Sequence, residues 1–433
     1  MKRLFYFALM MSPLIGFSQT ELTLEEAIAI ALENNYDIRL VSKDVAIAAN
    51  NVNIGNAGML PSVSGNVSAA AGIQNTAQTL LSGEQREVRG NNTSSTAYGA
   101  SLDWTIFDGL QMFTRYEQLK ALRALGEANM KATILTTVYD VMSSYFDLVQ
   151  QKQLINATQI ALELSAFRHQ TAENRYQIGQ ASKLEVLAAS VDLNTDTTNL
   201  LRQRDQYRST QIRLNELLAR DVNQDFSVAD TFLIESGLDY ERLSQQAKQL
   251  NPTLQSAIVN HRLSQLELKR VKGERYPVVN VSSAYTRSQS STQLGFATHS
   301  RNNGFSYGIA ASVPIFNGFI QRRNEKNAEF AMEAAEIEVE RVGQQIESQL
   351  LAAYQTYLMN LELVRLEERN REIARDNLNI TLEKFKLGSI APLEFREAQR
   401  NFVDASVRFS AAQYQAKLAE MTLNQIAGTL KMD

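Results

Sequence analysis

Side chains able to do chemistry are scarce and scattered in this chain. It has no cysteine, which removes thiolate nucleophiles, thiolate metal sites and disulfides. Its three histidines, His169, His261 and His299, lie too far apart to form a local metal motif. The run Asn53 to Gly58, "NIGNAG", follows a helical pattern rather than a strand and is no phosphate loop, and no nucleophile elbow occurs. These exclusions argue against an enzyme and imply no cofactor. The acidic pair Glu394 and Glu397 is different: spaced i,i+3, it shares one helical face. Such a pair does electrostatics, or simply favours the dipole at a helix start. The formal charge of −4 gives no basic excess that would point to nucleic acid.

The elements that carry these residues are long. Of 433 residues, 44% are hydrophobic and 21% charged, with only six prolines, as expected of a chain dominated by helices. Lys2 and Arg3 precede an apolar run from Leu4 to Phe17, then Ser18, Gln19 and Thr20. This predicts a secretory signal peptide over 1–18, and its removal takes the charge from −4 to −6. No cysteine follows it for lipid anchoring, and no later apolar stretch is long enough for a membrane-crossing helix.

The chain is written twice. Phe107 and Phe316 lie 209 positions apart, and the same offset pairs "RYQIGQASKLEVLAA" (Arg175 to Ala189) with "KFKLGSIAPLEFREA" (Lys384 to Ala398). Upstream, Asn35 pairs with Asn251 and Pro61 with Pro277 at an offset of 216. A seven-residue deletion between the two offsets suits a hairpin tip. The reading is a tandem duplication: repeat 1 over 19–220, a linker or equatorial segment over 221–237, and repeat 2 over 238–433.

Each repeat opens with short helices; "TLEEAIAIALENN" begins with a capping box, Thr23 to Glu26, and a second helix is expected from about Tyr36 to Met59. The period then switches to two. Strand pairs are expected at about 62–75 and 94–107, and at about 278–287 and 304–316. Val63, Val67 and Ile73, and later Phe305, Tyr307, Ile309, Val313 and Ile315, take one face, with small polar residues on the other. The intervening Ser/Thr/Gln/Asn-rich stretches, about 76–93 and 288–303, read as surface loops. Helices of sixty-odd residues follow, with apolar seams such as Ile134, Val138, Val141, Tyr145 and Leu148. At 1.5 Å per residue each is a rod of roughly 100 Å. Each turns back at a glycine, Gly179 or Gly388.

Such strands suit either a half-buried sheet or the wall of a transmembrane barrel, apolar outside and polar inside. A sheet face must pack on something, and the long rods are built for other helices. Four strands cannot close a membrane barrel, and open edges cannot face lipid. Several chains must therefore contribute to one barrel, eight strands from two or twelve from three.

The duplicated plan, "ALENNYDI", "IFDG" and "IFNG", and the tip sequences "YQIGQASKLEVL" and "FKLGSIAPLEF" resemble the TolC-type outer-membrane factor family over about residues 20 to 430. The resemblance implies an α+β membrane protein. Four antiparallel strands per chain would contribute to a homotrimeric twelve-stranded barrel in outer-membrane lipid, continued by a coiled-coil helical tunnel through the periplasm of a Gram-negative bacterium. It implies the exit duct of a tripartite efflux or type I secretion system. The partners would be a periplasmic adaptor (membrane fusion protein) and an inner-membrane transporter of RND, ABC or MFS type. Glu394, Glu397 and the first-repeat Glu185 would ring the periplasmic aperture. Tyr176, Gly179, Lys183, Phe385, Gly388 and Pro392 would form adaptor-docking tips. Ile390 stands where the family can place a basic, gate-closing residue. From the residues themselves, Asp108, Gly109, Pro314, Asn317 and Gly318 mark the strand-to-helix junctions. The competing expectation is a soluble periplasmic coiled-coil adaptor or scaffold, which would not need two amphipathic strand pairs.

Overall fold

The computed structural model describes residues 21–293 and 297–430. The expected signal peptide, 1–18, lies outside them. The chain divides into two compact units. One comprises Met1–Val41, Met130–Pro252 and Gln344–Asp433; the other comprises Ser42–Asn129 and Thr253–Gly343.

The second unit carries the sheet. β1 (Ser62–Thr79), β2 (Gln85–Asp108), β3 (Val278–Ser291) and β4 (His299–Ser312) pair antiparallel in the order β1-β2-β3-β4, so β1 and β4 each leave an edge unpaired. Pairing puts Val67 opposite Tyr98, Ala100 opposite Tyr285, and Tyr285 opposite Phe305. Residues directly opposite share a face, so Val63, Val67, Tyr98, Trp104, Tyr285, Phe305, Tyr307 and Ile309 form one continuous apolar surface. No described element covers it: Val67 is 85% exposed and Tyr307 83%. The other face is polar. Ser64 Oγ lies 2.9 Å from Ser101 Oγ, and Thr105 Oγ1 donates to Asn280 Oδ1 at 2.8 Å.

Three expectations are corrected here. The stretches read as surface loops are largely ladder. β1 and β2 run on to Thr79 and from Gln85, past a register shift at Gln74/Thr76 where Asn75 Oδ1 accepts from the Gly90 amide at 2.8 Å. Their polar residues satisfy backbone groups in strands as readily as in loops. β4 stops at Ser312, short of Val313 and Ile315. Pro314 has no N–H for the ladder, and Ile315 is left exposed outside it. The second helix ends at Asn51, not near Met59. The Asn53 side chain accepts from the Asn56 amide at 2.8 Å and folds the chain into a turn closed by Gly58 at φ +81°.

Helices build the first unit and also belong to the second. α1 (Leu24–Asn34) starts with the expected capping box, Thr23 Oγ1 accepting from the Glu26 amide at 3.2 Å and Glu26 from the Thr23 amide at 3.1 Å. α2 (Tyr36–Asn51) follows. α3 (Gln111–Gln177) and α4 (Lys183–Leu217) form the first long hairpin; α5 (Tyr240–Leu250) and α6 (Pro252–Gly273) precede the second sheet pair; α7 (Ile320–Lys386) and α8 (Pro392–Ala427) form the second hairpin. α3 and α7 have 67 residues each. The seam residues Val138, Val141, Tyr145 and Leu148 are buried together with Leu214, Phe226 and Met421. The segment between the repeats is held by its carbonyls: Gln211 Nε2 donates to Phe226 O at 2.6 Å, Lys152 to Val228 O at 2.5 Å, and Tyr357 to Glu235 O at 2.6 Å.

The duplication has a structural signature in Asn35 and Asn251. Asn35 Nδ2 donates to Leu217 O at 2.9 Å, tying the start of α2 to the end of α4. Asn251 Nδ2, at the C-cap of α5, donates to Ile426 O at 2.9 Å, tying the end of α5 to the end of α8 in the same way.

Candidate functional site at the helical tips and the strand-to-helix junctions

The tips are built by backbone geometry. α3 and α7 end in the same Schellman turn. Gly179 has φ +74°, its amide donating to Tyr176 O at 3.0 Å and the Gln180 amide to Arg175 O at 2.7 Å. Gly388 has φ +71°, with Gly388 donating to Phe385 O at 3.0 Å and Ser389 to Lys384 O at 3.0 Å. A residue with Cβ at either place would be strained by the left-handed backbone. The turns leave Ile178 and Leu184 of the first tip exposed, and Leu387 and Leu393 at the matching places of the second.

The other expected tip residues separate into surface and core. Lys183 lies 5.2 Å from the centroid of the half-exposed Tyr176 ring, across the first turn. Phe385 is 5% exposed and stacks on Phe395 at 4.8 Å, so it holds the second hairpin together and offers no side-chain surface. Ile390 packs partly buried against the same cluster. Pro392 is the first residue of α8, where its missing N–H costs nothing.

Glu394 and Glu397 are exposed, and among the described residues neither has an ion-pair partner. Glu185 behaves differently: it is half-buried and lies 4.0 Å from Arg175. The two repeats therefore do not present equivalent carboxylates.

A buried polar cluster behind the tips was not foreseen from the sequence. Arg168 of α3 donates to Asp192 Oδ2 of α4 at 2.5 Å, and Arg396 of α8 lies against the other oxygen. One layer away, Ser165 donates to Asp196, and Gln399 Nε2 donates to Ala161 O at 2.7 Å and Ser165 Oγ at 2.8 Å. The usable signal was positional. Arg168 falls on the stripe of Ala161, Ser165 and Ala172, all buried, and an arginine there must be paired.

At the junctions both repeats use two consecutive left-handed residues. Gly109 and Leu110 have φ +72° and +66°; Gly318 and Phe319 have φ +64° and +65°. The non-glycine member was missed, because leucine and phenylalanine seldom adopt this backbone. Asp108 Oδ1 accepts from the Met112 amide at 3.0 Å, and its other oxygen from Arg115. Asn317 Oδ1 accepts from the Gln321 amide at the longer distance of 3.3 Å. Pro314 stands just before the second junction.

The family model described as outer membrane efflux protein matches residues 27–220 and 243–429, one stretch in each half of the chain. The chain belongs to the outer membrane efflux protein family. It is 21% identical over 308 residues to the outer membrane protein TolC of Vibrio cholerae, covering 70% of each chain. Over 430 residues it is 20% identical to the outer membrane efflux protein BepC of Brucella suis, covering 97% of this chain and 88% of that one. The fold superimposes on the Campylobacter jejuni CmeC outer membrane channel with a TM-score of 0.77 at 16% identity, over 95% of this chain and 86% of that one. The protein is thus an outer-membrane efflux channel of TolC type with a periplasmic helical domain, not a soluble adaptor or scaffold, and its family is one of non-enzymatic channels. Membership implies a trimeric efflux assembly.

Proposed function

We propose that this channel is the passive exit duct of a pump-driven tripartite assembly. It would receive substrates from an inner-membrane transporter through a periplasmic adaptor seated on the two tips, residues 176–183 and 385–392 with the helix starts that follow them. The observation that carries the reading is the repeated apolar pair at the tips: Ile178 with Leu184, and Leu387 with Leu393, are 68%, 76%, 83% and 74% exposed. Apolar side chains held outward by a fixed turn, twice at equivalent places, suit a protein partner. In this reading Glu394 and Glu397, repeated by threefold symmetry, concentrate six carboxylates at the periplasmic aperture and draw cations to it.

The test is complementation of a deletion strain. Wild-type protein is expected to restore resistance to compounds that the deletion renders toxic. Leu387→Asp with Leu393→Asp is expected to reach the outer membrane as a trimer, yet leave the strain as susceptible as the deletion. Full resistance with the double variant would refute docking at the tips.

A further inference from the structure

The buried cluster behind the tips borders a cavity of about 350 Å³, lined by Arg168, Asp192 and Arg396 and walled by Ala172, Ala189 and Leu393. That is the lower end of the range of small-ligand sites, about 300–1,000 Å³. Two guanidiniums converge there on one carboxylate. Arg168 is 3% exposed, and among the described residues its Nε has no hydrogen-bond partner. A guanidinium carries five donors, and leaving one buried and unmade is costly. Arg396 is destabilised as a cation, first by burial and then by the charges of Arg168 and Arg400. A third source of positive potential is the start of α8. Its N-cap residue, Ala391, supplies no side-chain hydrogen bond, and Ala391, Pro392 and Leu393 all line the cavity. At the start of α4, by contrast, Ser182 Oγ accepts from the Glu185 amide at 3.2 Å. Glu185, the other acidic group on the cavity wall, is turned toward Arg175 at 4.0 Å.

We propose that this cavity is a carboxylate-accepting socket, in which Arg168, Arg396 and the uncapped start of α8 receive an aspartate or glutamate side chain of the docking partner. The proposal rests on the reading that a partner seats on the tips. A guanidinium pair and a helix N-terminus are complementary to a planar anion. The alanine and leucine wall suits the methylene groups of an acidic side chain. The socket borders Leu393, one of the exposed tip residues, so a partner engaging that surface would bring its own side chains to the opening. Asp192 retains Arg168 when Arg396 turns to the incoming carboxylate, so no buried charge is stranded by the exchange.

The experiment uses the full-length channel in cells, with the photoreactive amino acid benzoylphenylalanine at Ala188, which lines the cavity. The cross-linked partner peptide is mapped by mass spectrometry, and that peptide is expected to carry an aspartate or glutamate within about four residues of the cross-link. Arg396→Gln keeps the Asp192–Arg168 pair and so the fold, and is expected to lower cross-link yield about tenfold or more, as loss of a charge-assisted contact would. Arg396→Glu should lose both cross-link and efflux, and arginine at the mapped acidic position should restore them. A link internal to the protomer would not respond to the partner's charge. Cross-links that carry no carboxylate, that ignore Arg396→Gln, or that are not rescued by the charge exchange overturn the socket while leaving tip docking intact. No cross-link from Ala188, together with wild-type failing to restore resistance, overturns both.

Discussion

Asp108 holds the start of α3 with one carboxylate oxygen on the Met112 amide, at 3.0 Å, and Arg115 with the other. It is 6% exposed, so the Met112 contact is made away from water, while Arg115 reaches the carboxylate from a partly exposed position. Its repeat-2 counterpart, Asn317, makes the weaker cap at 3.3 Å on an exposed surface. Asp108→Ala is expected to destabilise each protomer by about 1–2 kcal/mol through the lost cap, with a further penalty from the unpaired Arg115. Asn317→Ala is expected to cost clearly less. Thermal unfolding of the detergent-solubilised trimer measures both, and equal losses would contradict the assignment of the stronger cap to Asp108.

The two junction glycines should differ in tolerance. A Cβ on Gly109 would meet Gly273 O at 2.2 Å, whereas one on Gly318 meets nothing within 4 Å. Gly318→Ala then carries only the left-handed backbone cost of about 1–2 kcal/mol, and outer-membrane trimer is expected to form. Gly109→Ala must displace backbone and is expected to abolish assembly. Trimer yield in the outer-membrane fraction distinguishes the two, and comparable yields would show that the clash is relieved cheaply.

If Glu394 and Glu397 charge the aperture, replacing both with glutamine should lower the cation-to-anion permeability ratio by roughly tenfold. Glu185→Gln should do less, because Glu185 already faces Arg175. Single-channel recording in planar bilayers is the measurement, and unchanged conductance and selectivity would remove these carboxylates from the aperture.

A pH effect is expected in the unit that carries the sheet. The Arg275 guanidinium binds both oxygens of Glu325 and holds its carboxyl below the ordinary 4.5. A carboxylate depressed on folding stabilises the native state fully above its unfolded value, and that stabilisation disappears as pH falls through the folded one. Glu325→Gln is therefore expected to be less stable than wild type at about pH 7, with the gap closing under acid, below about pH 4. Melting curves across that range that stay parallel would contradict it.

Much of the fold was legible because its periods are long. Unbroken seams such as Val138 to Leu148 and the twofold recurrence of Gly179 and Gly388 specify rods and turns with little competition from other structures. The ends of the strands were not legible. The polar stretches around Asn75 and Asn91 have the composition of loops, and only register with a neighbouring strand makes them ladder. Pro314 ended β4 four residues early because the alternating pattern through Ile315 conceals a missing donor. The Arg168–Asp192–Arg396 cluster escaped for a different reason. A charged residue on a helix reads as solvent-facing until the third helix that buries it is known, and Arg396 lies more than two hundred residues from Asp192.

The unpaired edges of β1 and β4 bear on how the channel comes into being. A lone protomer would bring two rows of bare N–H and C=O groups, and an uncovered apolar face, toward a solvent that satisfies neither. Closure of the sheet is available only from other copies, so membrane insertion and subunit association belong to one process. Its rate should rise steeply with protomer concentration. Any stability measured for the channel then describes the closed ring, and the monomer before it is a species to be chaperoned or degraded.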